Sequence, residues 1–243
     1  MKQKKAHTIR VHKEFYYIIE QNTNKIYQVN KTGNQSGQIA YIKGQYSHVS
    51  HNPTSIAFAN DMMFSCHPLH NKIDLFSTEE LRYQKSFGES FVLRPVSCWV
   101  KHDKLFIVDF DGVKVFSTQS QAFFHTIPRT LSYYMIQGVA AIHDLVYLMT
   151  IDLDQTTKIQ IYRDSTLINE IDISLHLKGN IGHDLHSYHN RLIISTRYKL
   201  FLFNSNLEFI SSYSFPFPNQ FQICTDDQHL YIFTHNGTLL VCM

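Results

Sequence analysis

The stretch Lys104-Leu105-Phe106-Ile107-Val108-Asp109, followed a few residues later by Val113-Lys114-Val115-Phe116, decides how the chain is read. Two short runs rich in β-branched and aromatic residues, parted by a small polar loop, have the make-up of paired strands. Upstream, Val96-Ser97-Cys98-Trp99-Val100 leads to His102-Asp103, a polar pair with the composition of a tight turn. Downstream, Phe123-Phe124-His125-Thr126-Ile127 supplies a fourth run. In chain order these are the A, B, C and D runs.

The same order recurs from end to end. B runs read Phe15-Tyr16-Tyr17-Ile18-Ile19, Met63-Phe64-Ser65-Cys66, Val146-Tyr147-Leu148-Met149, Leu192-Ile193-Ile194-Ser195 and Leu230-Tyr231-Ile232-Phe233. Polar pairs precede them at His12-Lys13, Asn60-Asp61, His143-Asp144, His189-Asn190 and Asp227-Gln228. C runs end at Val29 in the first unit and Cys242 in the last, five intervals of about 43 residues, the period of blades with four strands. Helical periodicity is nearly absent, and alternation predicts half-buried strands. A four-stranded meander cannot bury both faces alone, but radial packing against its neighbours covers them. We place the units at residues 6–47, 48–93, 94–135, 136–181, 182–219 and 220–243 of one domain. The last has A, B and C runs and then reaches Met243, so we expect three strands there, or loose pairing by the extreme N-terminus.

Composition narrows the function. With 44% hydrophobic and 14% aromatic residues in 243, the chain buries enough apolar area to offset its entropy and is not disordered. Twenty-two Lys+Arg against 20 Asp+Glu, with no basic run beyond Lys4-Lys5, argue against nucleic acid as a partner. The sequence has no window of membrane-spanning length and apolarity, and Met1 to His7 opens no signal-peptide block, so we expect a cytoplasmic monomer with no membrane partner. Cys66, Cys98, Cys224 and Cys242 are widely spaced without a C-x-x-C pair, which reads as buried free thiols in a reducing compartment.

Lys104 to Asp109 leading into Val113 to Phe116 resembles the core of NHL and YVTN-type β-propeller repeats. The resemblance implies an all-β, six-bladed β-propeller of four-stranded antiparallel blades, and it spans nearly the whole chain. Glycine is scarce for such repeats, and only the third unit has the strand-ending Asp in its usual place. The Gly-His and Trp-Asp signatures of WD40 blades are missing. Patterning of this kind speaks to architecture and leaves function to the site.

In such a fold the B–C and D–A loops leave one end of the sheets, and the A–B and C–D turns leave the other. Four equivalent histidines, His12, His102, His143 and His189, read as a requirement of the A–B turn. The mixed character of the B–C and D–A end makes it the expected binding face for a protein or peptide. Tyr134 and Phe217 are the expected apolar anchors there, framed by Asp109, Asp152, Arg197 and His235.

Two alternatives carry other chemistry. Propeller lactonases and esterases hold a cation in a central funnel, and the A strands here place His7, Ser55, Ser97, Gly138, Asp184 and Gln222 nearest the axis. A metal-assisted hydrolase would use Asp184 with His7 or His183 on a divalent metal, the one cofactor the sequence leaves open. One carboxylate is thin for a hard cation. His67 and His70, in His67-Pro68-Leu69-His70, have loop spacing suited to chelation, although solvated loop histidines are the simpler reading. Exposed rim aromatics would instead suit a glycan. No Gly-x-Ser-x-Gly occurs, and Gly33-Asn34-Gln35-Ser36-Gly37 opens no helix, so it reads as a C–D turn rather than a phosphate loop.

Overall fold

Strands form wherever the apolar runs were found, in six antiparallel sheets, each a simple meander. The computed structural model describes residues 6–20, 25–31, 39–41, 53–128, 135–215, 222–225, 229–233 and 239–242. The chain divides into two compact units, Met1–Thr126 and Ile127–Met243.

The first unit holds three sheets, each in sequential strand order. The first sheet is β1 (Ala6–His12), β2 (Phe15–Glu20), β3 (Lys25–Asn30) and β4 (Ile39–Tyr41). The second is β5 (Ile56–Ala59), β6 (Met62–His67), β7 (Lys72–Ser77) and β8 (Tyr83–Phe87). The third is β9 (Ser97–Lys101), β10 (Lys104–Asp109), β11 (Gly112–Ser117) and β12 (Phe123–Pro128). Strands β1, β5 and β9 are successive neighbours, so the sheets meet through their first strands.

Packing between sheets explains the sequence pattern. Met63 joins Tyr17, Ile19, Ile26 and Ile56 in the layer between the first and second sheets. Phe64, next in sequence, packs instead with Cys98, Leu105, Ile107 and Phe116 between the second and third. Consecutive strand residues point to opposite faces, and both faces are covered. Strands β10 and β11 are therefore buried almost throughout, not half-buried as alternation predicts. Exposed faces belong to outer strands such as β8. Each large side chain buried in this way is worth about 1.5–3 kcal/mol.

In the second unit the fourth sheet is β13 (Met135–Ile142), β14 (Leu145–Ile151), β15 (Thr157–Arg163) and β16 (Thr166–Asp172). The fifth is β17 (Asp184–Tyr188), β18 (Arg191–Ser195), β19 (Lys199–Asn204) and β20 (Phe209–Ser214). Among the described residues the sixth sheet has three strands, β21 (Gln222–Thr225), β22 (Leu230–Phe233) and β23 (Leu239–Cys242). β17 neighbours both β13 and β21, which repeats the first unit's arrangement. A short helix, α1 (Ser174–Leu177), interrupts the connection after β16, where the sequence suggested only strand and loop. Its last turn closes on left-handed Lys178 and Gly179, a helix C-cap signal.

The A–B turns show why histidine recurs. His102, His143 and His189 have φ of 53°, 54° and 45°, the left-handed region in which His, Asn and Asp are enriched among non-glycine residues. The first turn differs by one position from the sequence reading. Lys13 takes the left-handed φ of 51°, and His12 ends β1 stacked on Phe58 with ring centroids 4.8 Å apart. Burial lowers the pKa of His12, with smaller contributions from Lys13 and Lys31 and opposing ones from Asn60 and Asp61. The turn Asp227-Gln228 and the Gly33–Gly37 stretch lie outside the described residues.

β13 and β17 lie close together at Gly138, where an added Cβ would lie 2.6 Å from the Leu185 backbone nitrogen and 2.8 Å from its Cβ. Neither atom is the free end of a flexible side chain. Gly138→Ala is expected to destabilise the fold by about 1–3 kcal/mol, from overpacking at a first-strand contact. Urea denaturation monitored by circular dichroism checks it; an unchanged midpoint would mean that the strands are not held this close.

Candidate functional site

Within each unit the B–C hairpins and the D–A connections meet at the same end of the sheets. In the first unit, Phe110 N–H donates to the Leu93 carbonyl at 2.9 Å, and Arg94 N–H to Asn71 Oδ1 at 2.8 Å. In the second, His183 N–H donates to the Ser195 carbonyl at 2.7 Å, and Phe215 N–H to the Tyr198 carbonyl at 3.0 Å. The other end is tied separately. Lys31, Thr78 and Thr118 N–H each donate at 2.8 Å to the carbonyls of Glu14, Asp61 and Asp103, in the A–B turns of their own sheets.

Three B–C loops share one local device. Asp109 Oδ1 accepts Asp111 N–H at 2.9 Å, and Asp152 Oδ1 accepts Asp154 N–H at 3.1 Å. Thr196 Oγ1 takes the same role, accepting Tyr198 N–H at 3.4 Å and Lys199 N–H at 3.1 Å. Each side chain folds back onto the backbone two residues on, as an Asx or Ser/Thr turn does. The residue between is turned outward. In Asp109-Phe110-Asp111 it is Phe110, 57% exposed, and in Asp152-Leu153-Asp154 it is Leu153, 82% exposed. In Thr196-Arg197-Tyr198 it is Arg197, whose guanidinium carbon lies 5.4 Å from the centroid of the Tyr198 ring.

Other apolar side chains stand at the same end of each unit. In the first, Leu69 is 67% exposed in the short 3-10 turn after β6, and Leu93 is exposed beside Phe110 in the connection to β9. In the second, Leu175 of α1 is 89% exposed. Sequence reasoning passed over Leu69 and Leu175 because each stands between polar or turn residues outside the strand runs. For Phe110 and Leu153 the signal was present in the repeated Asp-apolar-Asp triplet.

The expected polar frame therefore divides. Arg197 is exposed, as expected. Asp109 is not, since its side chain is fully buried; Oδ2 accepts Leu93 N–H at 3.0 Å and Oδ1 also accepts Gly112 N–H at 3.1 Å. It shapes the loop from beneath instead of facing a partner. Asp152 is largely covered, accepts Thr156 N–H at 2.8 Å and has Lys158 Nζ at 3.7 Å. Tyr134, Phe217 and His235 lie outside the described residues.

The candidate metal ligands are scattered. His67 is the buried last residue of β6, not a solvated loop group, and its Nε2 lies 3.3 Å from Asp74 Oδ2. Asp74 Oδ1 also meets Lys72 Nζ at 3.0 Å and the Ser86 hydroxyl at 2.6 Å. His70 sits at the end of the 3-10 turn. Asp184 Oδ2 lies 2.9 Å from His186 Nε2, and Oδ1 accepts Leu185 N–H at 2.9 Å. Partial burial lowers the pKa of His183, helped by Arg197 and opposed by Asp184. His7 is in β1. Among the described residues no three His, Cys, Asp or Glu side chains come together as a metal-holding group.

No family model matches the sequence, and no curated protein matches it. Solved structures do match, 1154 chains in all, a likeness too widely shared to single out one activity. One is BamB from Moraxella catarrhalis, 9% identical, with a TM-score of 0.55 over 96% of this chain and 70% of that one. Together with the sheet order, this likeness defines the fold as an all-β propeller with four-stranded antiparallel blades: five such sheets and a smaller sixth. No helix among the described residues is long and apolar enough to cross a membrane.

The two loop aspartates titrate in opposite directions. Burial raises the Asp109 pKa against the Leu93 N–H, Lys114 and the Asp111 N–H, whereas the Thr156 N–H, aided by that of Asp154 and by Lys158, lowers that of Asp152. Folded Asp109 holds its proton more tightly than the unfolded chain, so stability falls as pH rises from the unfolded carboxylate value through its raised native one. The Asp152 contribution is present above the unfolded value and is lost as pH falls through its depressed native one. Asp109→Asn should abolish the first dependence and keep one acceptor oxygen for the Asp111 and Gly112 N–H groups, at the loss of the Leu93 N–H bond. Asp109→Ala, which strands the N–H groups, should cost about 2–3 kcal/mol. Denaturation at a series of pH values reads both, and equal losses for Asn and Ala would remove the loop-shaping role.

Proposed function

We propose that the protein is a non-catalytic binding module that recognises a protein or peptide at the end carrying the B–C and D–A loops. The observation that supports this most is the pair of Asp-apolar-Asp loops, in which a buried or half-buried carboxylate fixes the turn and sets Phe110 or Leu153 outward. An apolar side chain on a hydrogen-bonded loop loses little entropy when it is covered, which favours its use as an anchor. Leu69 and Leu93 in one unit, and Leu175 and Arg197 in the other, extend the apolar and polar contacts available to a partner. Tyr134 and Phe217 remain part of the reading as further anchors. The buried free thiols of Cys66, Cys98 and Cys224 support a reducing, cytoplasmic setting.

The test is capture of partners from the native cell, followed by affinity measurements on each with loop variants. A partner held by the first unit is expected to lose about tenfold or more in affinity with Phe110→Ser, and one held by the second unit with Leu153→Ser, while His102→Asn, in an A–B turn, leaves both unchanged. Partners whose affinity ignores both loop variants and falls with the turn variant would overturn the assignment of the face.

A further inference from the structure

Two of the buried thiols lie against each other in the layer between the second and third sheets. Cys66 of β6 and Cys98 of β9 belong to one apolar cluster with Phe64, Ile73, Leu105 and Ile107, and both are shut off from solvent. Ser55, just ahead of β5, ties their backbones together. Its carbonyl accepts the Cys66 N–H at 3.0 Å, and its hydroxyl oxygen accepts the Cys98 N–H at 3.2 Å.

The side chains converge as well. Cys98 Sγ turns towards β6, 3.7 Å from Ser55 Oγ and 3.8 Å from the Phe64 carbonyl. There it meets the Cys66 thiol. Burial, followed by a hydrogen bond with the Cys98 thiol and by its charge, raises the pKa of Cys66. Two cysteines can be bridged only where their backbones run close and their side chains point together, and this pair meets both conditions within the first unit.

We propose that Cys66 and Cys98 form a redox lock, a reversible disulfide that joins the second sheet to the third when peroxide reaches the layer between them. One cysteine, as its thiolate, attacks an oxygen of hydrogen peroxide and breaks the O–O bond, which leaves a sulfenic acid and a hydroxide that takes up the proton from the thiol. The other thiol attacks the sulfenic sulfur, the S–S bond forms, the S–O bond breaks, and a second water leaves. The two cysteines lose two electrons and two protons, and peroxide is reduced to two waters. Because the second thiol already stands beside the first, the sulfenic acid is resolved before a second peroxide can oxidise it further. In the closed layer the pair rests as thiols, and reaction waits on local opening. The cross-link closes residues 67–97, the segment that carries Leu69 and Leu93, and holds the layer shut afterwards.

The test treats the whole reduced chain with hydrogen peroxide in sub-denaturing urea, which opens the layer without unfolding the protein. The expected product loses two of its four alkylatable thiols and yields, on proteolysis and mass spectrometry, a peptide pair linked through Cys66 and Cys98. Dithiothreitol restores both thiols. The linked sample should melt about 5 °C or more above the same sample after dithiothreitol, since a cross-link restricts the unfolded chain. Cys66→Ala and Cys98→Ala should each abolish the linked pair; where either fails to fold, the peptide map of the unaltered chain decides alone. Linkage through Cys224 or Cys242 instead, oxygen added to the cysteines without a cross-link, thiols that survive peroxide, or a linked chain that melts below its reduced form overturns the proposal.

Discussion

Everything in this fold depends on sheets covering one another's faces. Met63 and Phe64, adjacent in β6, go to different apolar layers, one shared with the first sheet and one with the third. Neither sheet face of β6 is left for water, so the strand is buried along nearly its whole length. A single sheet of this kind could not be stable alone, because burying only one face would leave large side chains such as Phe76 or Phe116 in solvent. The stability of each unit is therefore a property of the layers between sheets, and the loops at the sheet ends are free to vary.

That division of labour accounts for the site. At one end, in the first unit, the turn that follows each A strand is fixed by a left-handed residue, Lys13, Asn60 or His102, and by a hydrogen bond from the start of the C–D connection, which leaves little room for variation. At the other end, three B–C loops differ in length and composition yet are each locked by a single side chain, Asp109, Asp152 or Thr196. A locked loop with an apolar tip is a preorganised contact. The charge that shapes the loop is turned inward, and the apolar residue that a soluble surface would normally hide is turned outward.

The strands were legible in the sequence because β-branched and aromatic runs recur at a fixed spacing, and β10 and β11 lie where Leu105 to Val108 and Val113 to Phe116 placed them. Their depth of burial was less legible, since two covered faces erase the alternation that a half-buried strand shows. The site was harder to read for a related reason. Asp109 looked like a surface carboxylate because loops are usually solvated, but backbone N–H groups draw it inward. His67 looked like a loop group because Pro68 follows it, yet β6 runs through it and buries it beside Asp74. The helix at Ser174–Leu177 is a single turn, too short for a periodic signal to build up.

Amide exchange on the protein with and without a captured partner tests the central claim most directly, because it reports the loops and the turns of a sheet at once. The account predicts slowed exchange at residues 109–112 for a partner held by the first unit and at 152–156 for one held by the second, with the turns at 102–103 and 143–144 unchanged. Protection confined to those turns, or spread evenly over both ends, would contradict it.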